Sequence, residues 1–140
     1  MSTVRIGING FGRIGRLVFR SAMTEKSGIA RVMAINDPFM DADYLTYLLS
    51  YDSVHGRFKG TVKKVDGGIE VNGHKVMLFK EKDADKIKWG DCGAEYISEC
   101  TGVYLTKEKC DLHLKGGAKK VIMSAPAKDE SPLFVMGVNN

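Results

Sequence analysis

The chain has 140 residues, 44% hydrophobic and 27% charged, enough for one hydrophobic core and far from the composition of chains that stay disordered. Its formal charge of +4 is spread along the chain with no block of like charges, which argues against a nucleic-acid-binding arm. Three cysteines without metal-knuckle or redox-pair spacing, no signal-peptide pattern and no apolar run near the ~20 residues of a membrane span predict a reduced compartment, the cytoplasm.

Val4–Asn9 is a short, mostly apolar run followed by glycine and predicts a buried strand. Ile14, Leu17, Val18 and Ala22 then fall near helical spacing, with Gly28 as the expected stop. Residues 32–35 repeat the strand signal. Asp41 is the expected N-cap of a helix whose apolar stripe is Tyr44, Leu45, Tyr47, Leu48 and Leu49. Thr61, Val62 and Val65, then Ile69 and Val71, then residues 76–79 read as hairpin strands, with Gly67-Gly68 and Asn72-Gly73 supplying positive φ at the turns. Residues 80–88 alternate in charge and read as solvated surface. Tyr96–Glu99 predicts a strand, Thr106 caps a helix running to Gly116 and Gly117, and residues 121–124 predict another buried strand, followed by a last apolar run at 134–138. The alternation predicts an α/β fold, a Rossmann-type doubly wound, mostly parallel sheet with a small β-hairpin insertion. Without repeats or a low-complexity linker, residues 1–140 read as one unit.

Between the first strand and first helix lies Gly10-Phe11-Gly12-Arg13-Ile14-Gly15, the spacing of a dinucleotide loop. Gly10 permits the tight turn, Gly12 lets backbone approach a pyrophosphate, and Gly15 lets helix and strand pack closely. The N–H groups around Arg13 and Ile14 then face phosphate oxygens. By itself the pattern is weak, but it follows a strand, opens a helix and is joined at the end of the second strand by Asp37. A carboxylate there accepts from both adenosine ribose hydroxyls and repels a 2′-phosphate, which favours NAD over NADP. The plain structural role of Asp37 is that of a turn residue before Pro38.

Segments throughout the chain resemble phosphorylating glyceraldehyde-3-phosphate dehydrogenases: RIGINGFGRIGR at 5–16, AINDPF at 34–39, YDSVHG at 51–56, KIKWG at 86–90, ECTG at 99–102, GGAKKVI at 116–122, SAP at 124–126 and FVMGVN at 134–139. The resemblance implies that the chain corresponds to the family's N-terminal NAD-binding domain. It implies Arg13 and Ile14 at the pyrophosphate, Asp37 at the ribose, and Asn9, Pro38 and Phe39 at the adenosine end. Gly10, Phe11 and Gly12 complete the loop, while Thr101, Gly102 and Ser124 approach the nicotinamide half. Lys82 stands where the family commonly has an arginine beside the adenine. If that contact is made by backbone the change costs little; if the guanidinium stacks, lysine weakens it.

The family's reaction oxidises glyceraldehyde 3-phosphate to 1,3-bisphosphoglycerate through a cysteine thiohemiacetal, in homotetramers. Its Ser-Cys-Thr-Thr-Asn-Cys stretch and its activating histidine are not among these 140 residues. The expectation is that this chain binds NAD and does not turn over alone; a stand-alone NAD-binding or subunit-interaction module is the alternative. Cys92, read as a glycine-flanked loop residue, Cys100 beside a strand and Cys110 within a helix are expected to be inert thiols. His55, His74 and His113 are expected on loops or the surface, with no metal site.

Overall fold

A computed structural model describes residues 2–52 and 56–138. Strand β1 (Val4–Asn9) leads through the glycine loop into helix α1 (Arg13–Thr24), then β2 (Ala30–Asn36) and α2 (Ala42–Ser50). A short ribbon of β3 (Tyr51–Asp52) and β4 (Gly56–Arg57) follows, then the meander β5 (Val62–Val65), β6 (Gly68–Val71) and β7 (His74–Phe79). After a 3-10 turn at Ala84–Lys86 come α3 (Trp89–Cys92), β8 (Tyr96–Glu99), α4 (Lys107–Cys110), α5 (Leu112–Lys115) and β9 (Lys120–Met123).

The main sheet runs β5-β6-β7-β2-β1-β8-β9. Its β7-β2-β1-β8-β9 part is parallel, and β5-β6-β7 are antiparallel neighbours. The expected hairpin insertion is thus an extension of the sheet, turned by Asn72 (φ 51°) and Gly73 (φ 83°). The chain begins in the middle, steps outward through β2 to β7, and returns to the other side of β1 at β8. The carboxyl ends of β1 and β8 therefore flank the switch point where open α/β sheets hold ligands.

Both sheet faces are covered. On one, Phe11, Phe19, Leu45 and Leu49 from the α1–α2 side pack with Ile8, Val32 and Ile35, and the Phe11 and Phe19 rings meet edge to face at 5.8 Å. On the other, Ile87, Trp89 and Ala118 pack with Ala34 and Ile97. Each such fully buried large side chain contributes about 1.5–3 kcal/mol. A register shift between Ile6 and Gly7 opposite β2 changes the phase of alternation, so that Val32 and Ile35 share the first face while Met33 and Ala34 turn to the second.

Local details differ from expectation at several points. Helix α1 ends at Thr24, and Gly28 (φ 69°) instead turns the chain into β2. The single helix expected from Thr106 divides at Asp111 into α4 and α5, because Leu114 and Gly116 N–H groups bond three residues back, to Asp111 and His113. Cys92 lies in the helical turn α3, not a loop. His113, expected on the surface, is fully buried, whereas His74 is exposed as expected and His55 lies outside the described residues.

Candidate functional site

At the carboxyl edge of the sheet is a cleft of about 460 Å3. Among the residues expected at a cofactor, Asn9, Gly10, Gly12, Asp37, Pro38, Lys82 and Thr101 line it. Local chemistry explains the arrangement. Gly10 takes φ 89°, a left-handed turn that points the chain from β1 into α1. At Gly15 a Cβ would lie 2.1 Å from the Gly10 carbonyl oxygen, so only glycine lets the helix start close to the strand. At Gly12, the N-cap of α1, a Cβ would meet nothing within 4 Å, and no side chain caps the helix. The first-turn amides of this 12-residue helix therefore open onto space with the positive end of the helix dipole behind them.

Asp37 ties this loop to the second strand. Its Oδ2 accepts from the Phe11 amide at 2.9 Å and its Oδ1 from the Phe39 amide at 2.9 Å. A carboxylate offers about four lone-pair sites, so each oxygen keeps one for a further donor in the cleft. The turn role before Pro38 and the ligand role thus coexist in one side chain. A glycine cradle beside an acceptor-rich carboxylate fits a diphosphate joined to a ribose diol.

Other expected residues sit differently. The Phe11 side chain is fully buried and its amide is taken by Asp37, so Phe11 serves the scaffold rather than the cleft. Arg13, Ile14, Gly102 and Ser124 are exposed and lie outside the lining of this cleft. The Ser124 amide donates to the Glu99 carbonyl at 3.0 Å, which puts it beyond the end of β9, one strand further out than Thr101.

Several lining residues were not anticipated: Asn36, Met40, Glu81, Ile87, Cys100, Val103 and Tyr104, in addition to the expected Phe39. Tyr104 donates its hydroxyl to the Lys82 carbonyl at 3.1 Å, joining the walls that follow β7 and β8. Burial pushes the Tyr104 hydroxyl above the ordinary phenol range, with the Glu99 charge adding to it against a hydrogen bond at Ala84. The signal that could have found these residues is positional, since each follows or ends a strand whose carboxyl end faces the switch point.

The cysteines show no activated thiolate. Burial raises the Cys92 and Cys100 thiols above their usual range and pushes Cys110 up to about 11. Cys110 donates to the Tyr104 carbonyl, and Cys100 shares a hydrogen bond with Ser98 at 3.2 Å. Among the described residues no group of His, Cys, Asp or Glu side chains could hold a metal ion, and no helix is long and apolar enough to cross a membrane.

Comparison with known proteins agrees with this geometry. Residues 4–107 match the family described as glyceraldehyde 3-phosphate dehydrogenase, NAD binding domain. The chain is 58% identical over 140 residues to the glyceraldehyde-3-phosphate dehydrogenase of Aspergillus oryzae, covering 100% of this chain and 40% of that protein. It is 57% identical over 136 residues to that of Schizophyllum commune, covering 97% and 40%, and 54% identical over 137 residues to that of Danio rerio, covering 98% and 40%. The chain spans about two fifths of the length of these curated relatives. It belongs to the glyceraldehyde 3-phosphate dehydrogenase family as its NAD-binding domain, and its cofactor is NAD.

Proposed function

We propose that this chain is the cofactor half of a glycolytic, cytoplasmic oxidoreductase that converts glyceraldehyde 3-phosphate to 1,3-bisphosphoglycerate, and that residues 1–140 alone bind NAD without turning over. The observation that carries the reading is the uncapped, glycine-cradled start of α1 beside the Asp37 carboxylate. In it, the Arg13 and Ile14 amides hold the diphosphate, and the free lone pairs of Asp37 take the ribose hydroxyls and reject a 2′-phosphate. Asn9, Pro38 and Phe39 line the adenosine end and the Lys82 backbone, held by Tyr104, closes it. Thr101, Gly102 and Ser124 stand toward the nicotinamide. NAD when bound supplies the hydride acceptor.

The thiols support the reading that this chain alone does not turn over. A nucleophilic cysteine needs a lowered pKa, and the shifts at Cys92, Cys100 and Cys110 run the other way. The substrate therefore requires residues of a further domain, in a homotetramer of full-length subunits. The exposed side chains of Ile122, Phe134, Met136 and Val138 support such covering protein, and they equally favour the second reading, a module that binds NAD and other subunits.

Titration calorimetry of the chain with NAD and NADP tests the cofactor reading. NAD is expected to bind more tightly than NADP, and absence of heat for NAD at millimolar concentration from a folded sample overturns it. Sustained NADH formation from aldehyde and phosphate by this chain alone overturns the claim that it does not turn over.

A further inference from the structure

Beneath the cleft, and outside its lining, lie the buried side chains of Glu99 and His113. Three polar residues end adjacent parallel strands in register: Asn36 on β2, Asn9 on β1 and Glu99 on β8. Each is no more than 2% exposed. The Glu81 amide donates to Asn36 Oδ1 at 2.9 Å, Asn36 Nδ2 donates to Asn9 Oδ1 at 2.8 Å, and Asn9 Nδ2 donates to Glu99 Oε2 at 2.6 Å. From the opposite side the Trp89 indole N–H donates to His113 Nδ1 at 3.0 Å. An indole nitrogen only donates, so Nδ1 is the acceptor, the ring proton sits on Nε2, and Nε2 donates to Glu99 Oε2 at 2.7 Å.

The second carboxylate oxygen, Oε1, accepts from the Thr101 amide at 3.0 Å and the Thr101 hydroxyl at 2.5 Å. That hydroxyl oxygen in turn accepts from the Val103 amide at 3.1 Å. Four donors thus converge on one buried carboxylate and fill its acceptor capacity. The direction of every bond is fixed, because a backbone amide and an indole at the ends only donate and the carboxylate in the middle only accepts. Three of the loops that wall the cleft connect to it. The loop after β1 does so through Asn9, the loop after β7 through Asn36 and Glu81, and the loop after β8 through Thr101 and Val103.

We propose that Glu99, held by the His113–Trp89 pair, is a positioning residue of the NAD cleft that sets the loops after β1, β7 and β8 in one binding arrangement. An apolar ladder at these strand ends would stabilise the fold comparably, but it could not dictate the orientation of three separate loops; a fully satisfied polar network does. The inference rests on the reading of the cleft as the NAD site, and it predicts that the cleft and the single tryptophan, which does not line it, respond to each other.

The test uses the 15N-labelled 140-residue chain, whose one tryptophan gives one indole N–H resonance. Glutamine in place of His113 keeps a donor near the Nε2 position toward Glu99, whereas asparagine keeps an acceptor near Nδ1 toward Trp89. His113→Gln is expected to retain NAD affinity within roughly threefold, and His113→Asn to lose roughly tenfold or more, the equivalent of one hydrogen bond. At the cleft, Thr101→Val is expected to shift the Trp89 indole resonance in the absence of NAD, while Thr101→Ser restores it. Should His113→Asn not fold, the half-buried Thr101 site still decides. Equal NAD affinities of the two His113 variants, or an indole resonance unmoved by Thr101→Val, overturns the inference while wild-type NAD binding stands. A wild-type chain that binds no NAD overturns the underlying reading and the inference with it.

Discussion

Replacing Gly12 with alanine separates the structural task of the glycine loop from its binding task. Gly12 has φ −75° and ψ −157°, a backbone open to any residue, and a Cβ there meets no atom within 4 Å. Alanine is the poorer N-cap by roughly 0.5–1 kcal/mol, and it restricts the unfolded chain by about 0.4–1 kcal/mol in the opposite sense. Folding stability should therefore stay within about 0.5 kcal/mol of wild type. In the proposed site the same methyl group would stand where the diphosphate approaches the α1 amides. Charge-assisted hydrogen bonds of about 1.5–3 kcal/mol each depend on that approach, so NAD affinity should fall roughly tenfold or more. Gly15→Ala is the contrast, because its Cβ would sit 2.1 Å from the Gly10 carbonyl oxygen and overpacking of this kind costs about 1–3 kcal/mol in folding. Urea unfolding followed by calorimetry with NAD measures both quantities on each variant. A stable Gly12→Ala protein that binds NAD with wild-type affinity refutes the placement of the diphosphate at the start of α1.

Asp37→Ala should weaken NAD and narrow the discrimination against NADP, since Asp37 both orders the Phe11 and Phe39 amides and faces the cleft; titration with both nucleotides checks this, and an unchanged preference removes the ribose role. Glu99→Gln should destabilise the fold by about 1–3 kcal/mol in urea, because its new NH2 must face either the Thr101 amide or the Asn9 and His113 donors. Glu95 is held below the usual carboxylate range by hydrogen bonds from Arg5 and then Lys119. Its charged form is therefore favoured by folding, so its contribution is present above the ordinary carboxylate pKa and is lost as pH falls through the lowered value. Acid unfolding of Glu95→Gln followed by circular dichroism should show a shallower decline than wild type, and an identical slope counts against the pairing.

Much of the architecture was legible because its signals are local. The strand that runs into Gly10, the Asp41 cap whose side chain accepts from the Tyr44 amide at 2.8 Å, and the Asn72-Gly73 turn each depend on a few neighbouring residues. Where expectation missed, the cause lay at long range. The helix after Thr106 divides at Asp111 while Cys110 and His113, three residues apart, are both buried, and no propensity within the segment announces which residues the core will claim. The hairpin was legible as a hairpin, but its membership of the main sheet depends on β7 pairing with β2, about forty residues away.

His113 shows why the candidate site was only half legible. A lone histidine within a helical segment carries no sign of burial, and its partners Trp89 and Glu99 lie 24 and 14 residues away. The strand ends carry a better signal. Asn9 and Asn36 each close a mostly apolar strand with a polar residue, and Glu99 closes β8 at a buried position, against the hydrophobic energy that would favour valine or leucine there. One buried polar group without a partner costs about 1–3 kcal/mol, so three at the same edge persist only if they satisfy one another or serve what lies above them. Here they do the first through the chain from Asn36 to Asn9 to Glu99, with Asn9 and Asn36 lining the cleft and Glu99 beneath it. A polar last residue on successive strands of a parallel sheet, next to a glycine loop, is therefore a pattern that can be read from sequence before any contact is known.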